Sequence, residues 1–163
     1  MTDADARLDA LERRVQHLED HLAILQVLHG YGLAVDSGQP EAVADAWTPE
    51  GVYDVDVTAM RGHEQLAAMV RSRAHQSWIH GGCGHVLSAP QVRVDGDAAV
   101  ATCYSQLVSH DPDGDEFRVS RLSANRWELA RTEAGWKVTT RTNRLLDGRA
   151  EARDLLASGT TEV

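Results

Sequence analysis

The stretch Gly84 to His110, GHVLSAPQVRVDGDAAVATCYSQLVSH, constrains the fold more than any other part of the chain. Two β-type runs flank Asp95-Gly96, and a D-G pair between such runs is a strong short-range hairpin signal. Each outer end of this expected hairpin carries a histidine. With a two-residue Asp95-Gly96 loop, Val94 faces Asp97 and, counting outward, His85 faces Gln106. Side chains alternate along a strand, so residues 106 and 110 share a face. His85 and His110 are therefore expected to look into one concavity. Pro90 is the point at which a bulge would shift this register.

Residues 5–36 read as one long helix or two joined ones. Leu8, Leu11, Val15, Leu18, Leu22 and Leu25 alternate spacings of three and four, a short coiled-coil-like seam. It suits either packing on the chain's own domain or an oligomer contact. Gly30 and Gly32 loosen the helix before Asp36, and Ser37-Gly38-Gln39-Pro40 stops it. Residues 40–47 read as a short helix with Pro in its first turn. Thr48 to Gly51 is a turn, and residues 52–58 alternate as a strand on which Asp54 and Asp56 make a solvated face. Residues 62–77 have helical spacing. After the hairpin, 115–130 and 136–146 are two long strands joined by a turn at 132–135. The tail is a short helix followed by disorder.

Helices first and antiparallel strands after them make an α+β domain, a curved sheet wrapped around the long helix. Such a cone has a closed end and an open mouth, a natural place for a small-molecule pocket. The 163 residues suffice for one domain with a real core, centred on 22–146, with a helical extension over 1–21 and a tail over 147–163. The net charge of −9 argues against a nucleic-acid partner, because phosphate binding needs clustered Lys and Arg. No basic amphipathic stretch points to a membrane surface, and no apolar run approaches the ~18 residues of a spanning helix. The N-terminus has no apolar signal-peptide core. Cys83 and Cys103 make no disulfide framework and read as reduced thiols, which gives a cytoplasmic expectation.

Several residues can carry chemistry. Asp36 stands where the long helix meets the cone mouth, and a carboxylate beside an imidazole fixes the ring tautomer and favours its charged form. Ser123 and Asn125 lie two apart and point to one face; inside a cone they become buried groups in need of partners. Tyr31, Tyr53 and Tyr104 are further donors, and Arg141 and Arg144 suit an anion. His75, His80, Cys83 and His85 lack a C-x-x-C pair or an H-E-x-x-H helix pattern, so no metal is expected. Cys83 with His85 as a nucleophilic pair lacks a visible oxyanion-hole element. The loop HGGCG at 80–84 has no following helix to cradle phosphate.

The segment AVDSGQPEAVADAWTPEGVYDVD resembles the helix end of the scytalone dehydratase and SnoaL-like group, which shares the cone-shaped fold of nuclear transport factor 2. The similarity runs from about Leu22 to Arg144. In scytalone dehydratase an Asp at the helix end pairs with a His opening a strand, and these match Asp36 and His85. A second His at the end of the next strand matches His110, and the family's S-x-N matches Ser123-Ala124-Asn125. The two tyrosines that hold a water against the substrate carbonyl in that enzyme are matched by Val35 and Val55, which implies a more apolar pocket. An Asp-His pair without those tyrosines is similar to hexachlorocyclohexane dehydrochlorinase and bile acid dehydratase.

The resemblance implies a cofactor-independent lyase of the dehydratase type acting on a small, apolar cyclic or polyketide-like substrate. It casts His85 as general base, Asp36 as its orienting carboxylate and His110 as the group serving the leaving hydroxyl. Ser123 and Asn125 would fix the substrate oxygen, with Val35, Val55, Tyr53 and Tyr104 around it. A cyclase or isomerase using the same base, or a non-catalytic binding subunit, are the alternatives. A homotrimer or homodimer is expected.

Overall fold

The computed structural model describes residues 3–160. The disorder expected at the extreme C-terminus falls on 161–163, outside the described residues. One unbroken helix, α1 (Asp3–Asp36), opens the fold, followed by α2 (Pro40–Asp45), the strands β1 (Trp47–Val55) and β2 (Thr58–Arg61), and the helices α3 (Gly62–Arg71) and α4 (Arg73–Gly81). Then come β3 (Cys83–Leu87), β4 (Gln91–Asp95), β5 (Ala98–Asp111), β6 (Glu116–Thr132) and β7 (Gly135–Leu145), closed by α5 (Ala150–Ala157). The strands form one curved, unclosed sheet in the order β2-β1-β7-β6-β5-β3, with β4 also on β5. Among the described residues only the β1–β7 pairing is parallel. The α+β expectation of a bent sheet around a long helix holds.

The face of α1 that enters the core is not the leucine seam. Asp20, Ile24, Leu28, Tyr31 and Val35 are buried, whereas Leu8, Leu11, Val15, Leu18 and Leu22 are exposed. The buried set recurs at spacings of four and three, the stripe of an amphipathic helix. It packs on Trp47, Trp127, Leu129, Trp136 and Val138 from the sheet. Two polar clamps hold the helix. Midway along α1 the Asp20 carboxylate accepts from both terminal guanidinium nitrogens of Arg131 at 2.7 Å and from the Trp136 indole N–H at 3.1 Å. At its C-terminal end, Asp36 meets β3. Gly32 does not loosen the helix as expected: a Cβ there would stand 3.2 Å from the His85 carbonyl oxygen, so glycine lets α1 lie against the β3 backbone.

Three irregularities bend the sheet, in the β1–β7, β5–β6 and β6–β7 pairings. Such irregularities leave residues without a ladder partner and increase local twist. In β6–β7 the partners step from Glu128↔Thr140 to Leu129↔Val138, so Thr139 is the extra residue. Before it Trp136 and Val138 face the core; after it Arg141 and Asn143 do. A strand of unbroken parity would have turned Arg141 outward.

Several local expectations change. The chain at 58–61 folds back as β2, and Asp56 sits in the connecting turn at φ 51° rather than in a strand. Asp54 and Asp56 are not a solvated face: Asp54 pairs with Arg144 at 2.7 Å and Asp56 with Arg121 at 2.5 Å. Residues 62–77 are not one helix. The chain breaks at Ser72, whose extended backbone and side-chain oxygen, accepting from the His75 N–H, start α4.

The central hairpin is also re-registered. Asp95 pairs with Ala98, so Gly96 and Asp97 form the tip, with Gly96 at φ 56°. Ser88 to Pro90 then interrupt the outer strand, and β3 resumes with His85 opposite Leu107 instead of Gln106. One residue of slip exchanges the faces of a strand. His85 therefore shares a face with Ser105 and Leu107, and His110 belongs to the other one.

Candidate active site

Between the C-terminal half of α1, the α3–α4 pair and the inner sheet face lies a cavity of about 340 Å³. Val35, Val55, Met60, Met69, Trp78 and Leu107 make its walls apolar. Its polar groups converge from different elements: His85 from β3, His75 from α4, Arg121 and Arg141 from β6 and β7, and Tyr31 and Tyr53 from α1 and β1. A largely apolar enclosure with a few convergent polar groups is the usual form of a small-molecule site.

Asp36 and His85 touch. The carboxylate Oδ1 lies 2.5 Å from His85 Nδ1, and Oδ2 accepts the His85 backbone N–H at 2.6 Å. An ionised carboxylate only accepts, so the contact puts a proton on Nδ1, and in the neutral imidazole the lone pair is then on Nε2. Both oxygens hold the same residue, one by its ring and one by its main chain, which fixes position and tautomer together. The two side chains are each about a fifth exposed, shielded without being sealed from the cavity.

The other expected residues divide. Val35, Val55 and Tyr53 line the cavity. Ser123 and Asn125 share the inner face but lie in the layer beneath it, both fully buried. Asn125 Oδ1 accepts from Arg141 Nε and from Asn143 Nδ2, each at 2.9 Å, so it acts on the cavity through Arg141. Tyr104 and His110 are corrections. Tyr104 is half exposed on the outer face. His110, also outward, sits 5.2 Å from the Phe117 ring centroid and 3.5 Å from the Asp115 carboxylate. The slipped hairpin register accounts for both.

The sequence offers His75 only as a metal ligand, yet it lines this cavity. It is buried, its ring stacks on His85 at 6.0 Å with 18° between planes, and among the described residues its Nε2 has no hydrogen-bond partner. Burial pushes its pKa down, and the nearby His85 imidazole pushes it further in the same direction. A neutral imidazole thus stands beside the Asp36-supported one. The signal for it was Ser72, a helix N-cap three residues earlier, which ends one helix and rotates the next inward. Burial also drives the Tyr31 phenol upward, so it stays protonated as a donor.

Asp36, Cys83 and His85 bring three possible metal-ligand atoms within 4.8 Å of one another. Burial and the Asp36 carboxylate hold the Cys83 pKa above the ordinary thiol range. The 2.5 Å contact is also a hydrogen bond between the donors rather than a spacing that admits an ion. The arrangement suits an acid–base pair better than a metal centre. No helix among the described residues is long and apolar enough to cross a membrane.

Comparison with known proteins agrees with this architecture. The profile of the SnoaL-like domain matches residues 16–142. A nuclear transport factor 2-like protein with a cystatin-like fold from Novosphingobium aromaticivorans superposes with a TM-score of 0.88 at 38% identity, over 91% of this chain and 96% of that one. A Nostoc punctiforme protein of unknown function with a cystatin-like fold gives a TM-score of 0.65 at 13% identity, over 78% of this chain and 92% of its own. A Catenulispora acidiphila protein solved in complex with S-DNPA gives 0.68 at 21% identity, over 81% and 96% of the two chains. No functionally curated protein matches the chain.

Proposed function

Given that the chain belongs to the SnoaL-like family, we propose that it is a cofactor-independent lyase of the dehydratase type, with His85 as the general base. The observation that carries this reading is the 2.5 Å contact between Asp36 and His85 at the wall of an apolar cavity. Asp36 holds the proton on Nδ1, so Nε2 takes a proton from substrate carbon next to an activating carbonyl. The carboxylate then stabilises the imidazolium. The C–H electron pair becomes the new C=C bond, the C–O bond on the adjacent carbon breaks, and the departing hydroxyl leaves as water with the proton returned by His85. With His110 on the outer face, base and acid are the same imidazole, and proton and hydroxyl leave from one side of the substrate. General base catalysis supplies ~10²–10⁴-fold, and the dry walls must contribute the remainder by positioning and electrostatics.

The test is proton transfer itself. Wild-type protein, His85→Ala, Asp36→Asn and His110→Ala are incubated in D₂O with a panel of cyclic β-hydroxy ketones, and deuterium uptake and water loss are followed by mass spectrometry. His85→Ala should lose both by at least ~10²-fold and His110→Ala neither. A folded His85→Ala protein that turns over as fast as wild type overturns the assignment. Exchange without water loss across the whole panel would favour an isomerase or cyclase using the same base.

A further inference from the structure

The cavity holds a permanent cation that its own carboxylates do not neutralise. Arg141 is 3% exposed and lines the cavity. A guanidinium cannot shed its proton to escape burial, so its charge has to be met where it stands. Among the described residues no carboxylate pairs with it. Its Nε donates to the neutral Asn125 Oδ1 at 2.9 Å, and its charge centre lies over three rings, 4.2 Å from Trp127, 4.5 Å from Tyr53 and 5.0 Å from Tyr31. Ring faces attract a cation but do not cancel it. Arg121, the other guanidinium of the cavity, is different: Asp56 neutralises it at 2.5 Å. Asp36 has both oxygens committed to His85. The Thr139 bulge alone turns this cation inward, a costly placement for a side chain that serves packing only.

We propose that Arg141 is the anchor for a substrate carboxylate, so that the site takes small, mostly apolar ring compounds bearing one carboxylate group. The proposal deepens the lyase reading, since it takes the same cavity as the reaction site. The planar guanidinium fork matches a carboxylate in two parallel hydrogen bonds. The apolar walls would cover the ring, and anchoring at Arg141 would fix which C–H presents itself to His85 Nε2. Asn125, fixed in turn by Asn143, is a positioning residue that holds the fork by its Nε.

Binding tests this without turnover. Calorimetric titration with 2-naphthoate and with 2-naphthamide compares a carboxylate with its neutral isostere on the same ring. Wild type should prefer naphthoate by about tenfold to a hundredfold. His85→Ala should keep that preference, Arg121→Gln should keep most of it, and Arg141→Met should lose it. Because Arg141→Met removes a packed side chain, circular dichroism must show it folded, and the wild-type comparison stands without it. Equal affinity for the two compounds in wild type, or no binding of naphthoate at millimolar concentration, overturns the proposal. So does a folded Arg141→Met protein that still prefers the carboxylate. A carboxylate preference with no elimination activity would leave the anchor standing and remove only the lyase reading.

Discussion

Asp20→Asn tests whether the fold is clamped midway along α1, at a point remote from the cavity. The carboxylate is 8% exposed and accepts two hydrogen bonds from Arg131 at 2.7 Å and one from Trp136 at 3.1 Å, with Gln16 donating at 3.2 Å. An amide keeps one acceptor but points its NH₂ at a guanidinium donor. Hydrogen bonds to charged groups contribute about 1.5–3 kcal/mol each, so two would suggest up to about 6 kcal/mol. That figure must shrink, because Arg131 is about a third exposed and keeps its pairing with Asp97 at 2.9 Å. A loss of about 2–3 kcal/mol is expected, or roughly 5–10 °C in Tm for a chain of this size.

The pH dependence supplies the sharper measurement. The Arg131 hydrogen bonds hold the Asp20 carboxyl well below its ordinary range, against the opposing effect of burial. A depressed folded pKa means that the unfolded chain binds the proton more readily. The stabilisation is then complete above the ordinary carboxylate pKa and fades as pH falls through the lower folded value. Urea unfolding of both proteins at pH 7 and at stepwise lower pH should show the gap between them narrowing only below about pH 4. A gap under about 0.5 kcal/mol at pH 7, or one that stays constant down to pH 2, would refute the clamp.

Three further outcomes follow from the same structure. In NMR titration His75 should protonate below the ordinary imidazole range, and His85→Ala should move it upward, because His85 is one of the groups depressing it. Ser72→Ala removes the N-cap of α4 and should cost about 1 kcal/mol in urea unfolding, with His75 the residue whose resonances shift most. Replacing Leu11 and Leu18 with lysine should lower the mass seen in sedimentation, because both are more than half exposed on the α1 seam and the protein is proposed to assemble as a homodimer or homotrimer.

The sequence alone determined the class of fold and the pair at its centre. Helical spacing through residue 36 and the Gly-Pro stop beyond it are local signals that the physics of caps carried into the structure, and the D-G pair at 95–96 marked the hairpin although its tip lies one residue further on. Asp36 and His85 were identifiable because each marks the end of an element, and the resemblance to a known family joined them across 49 residues. Tertiary structure decided which side every strand residue faces. A tip shifted to Gly96-Asp97 and the break at Ser88 to Pro90 moved His85 opposite Leu107 and sent His110 and Tyr104 outward. The bulge at Thr139 turned Arg141 inward, and the break at Ser72 brought His75 onto His85. Strand alternation has a period of two, so a single extra residue reverses the face of everything beyond it. Whether a sheet accepts that residue depends on the strands beside it and on the helix it must wrap, and those are distant in the chain.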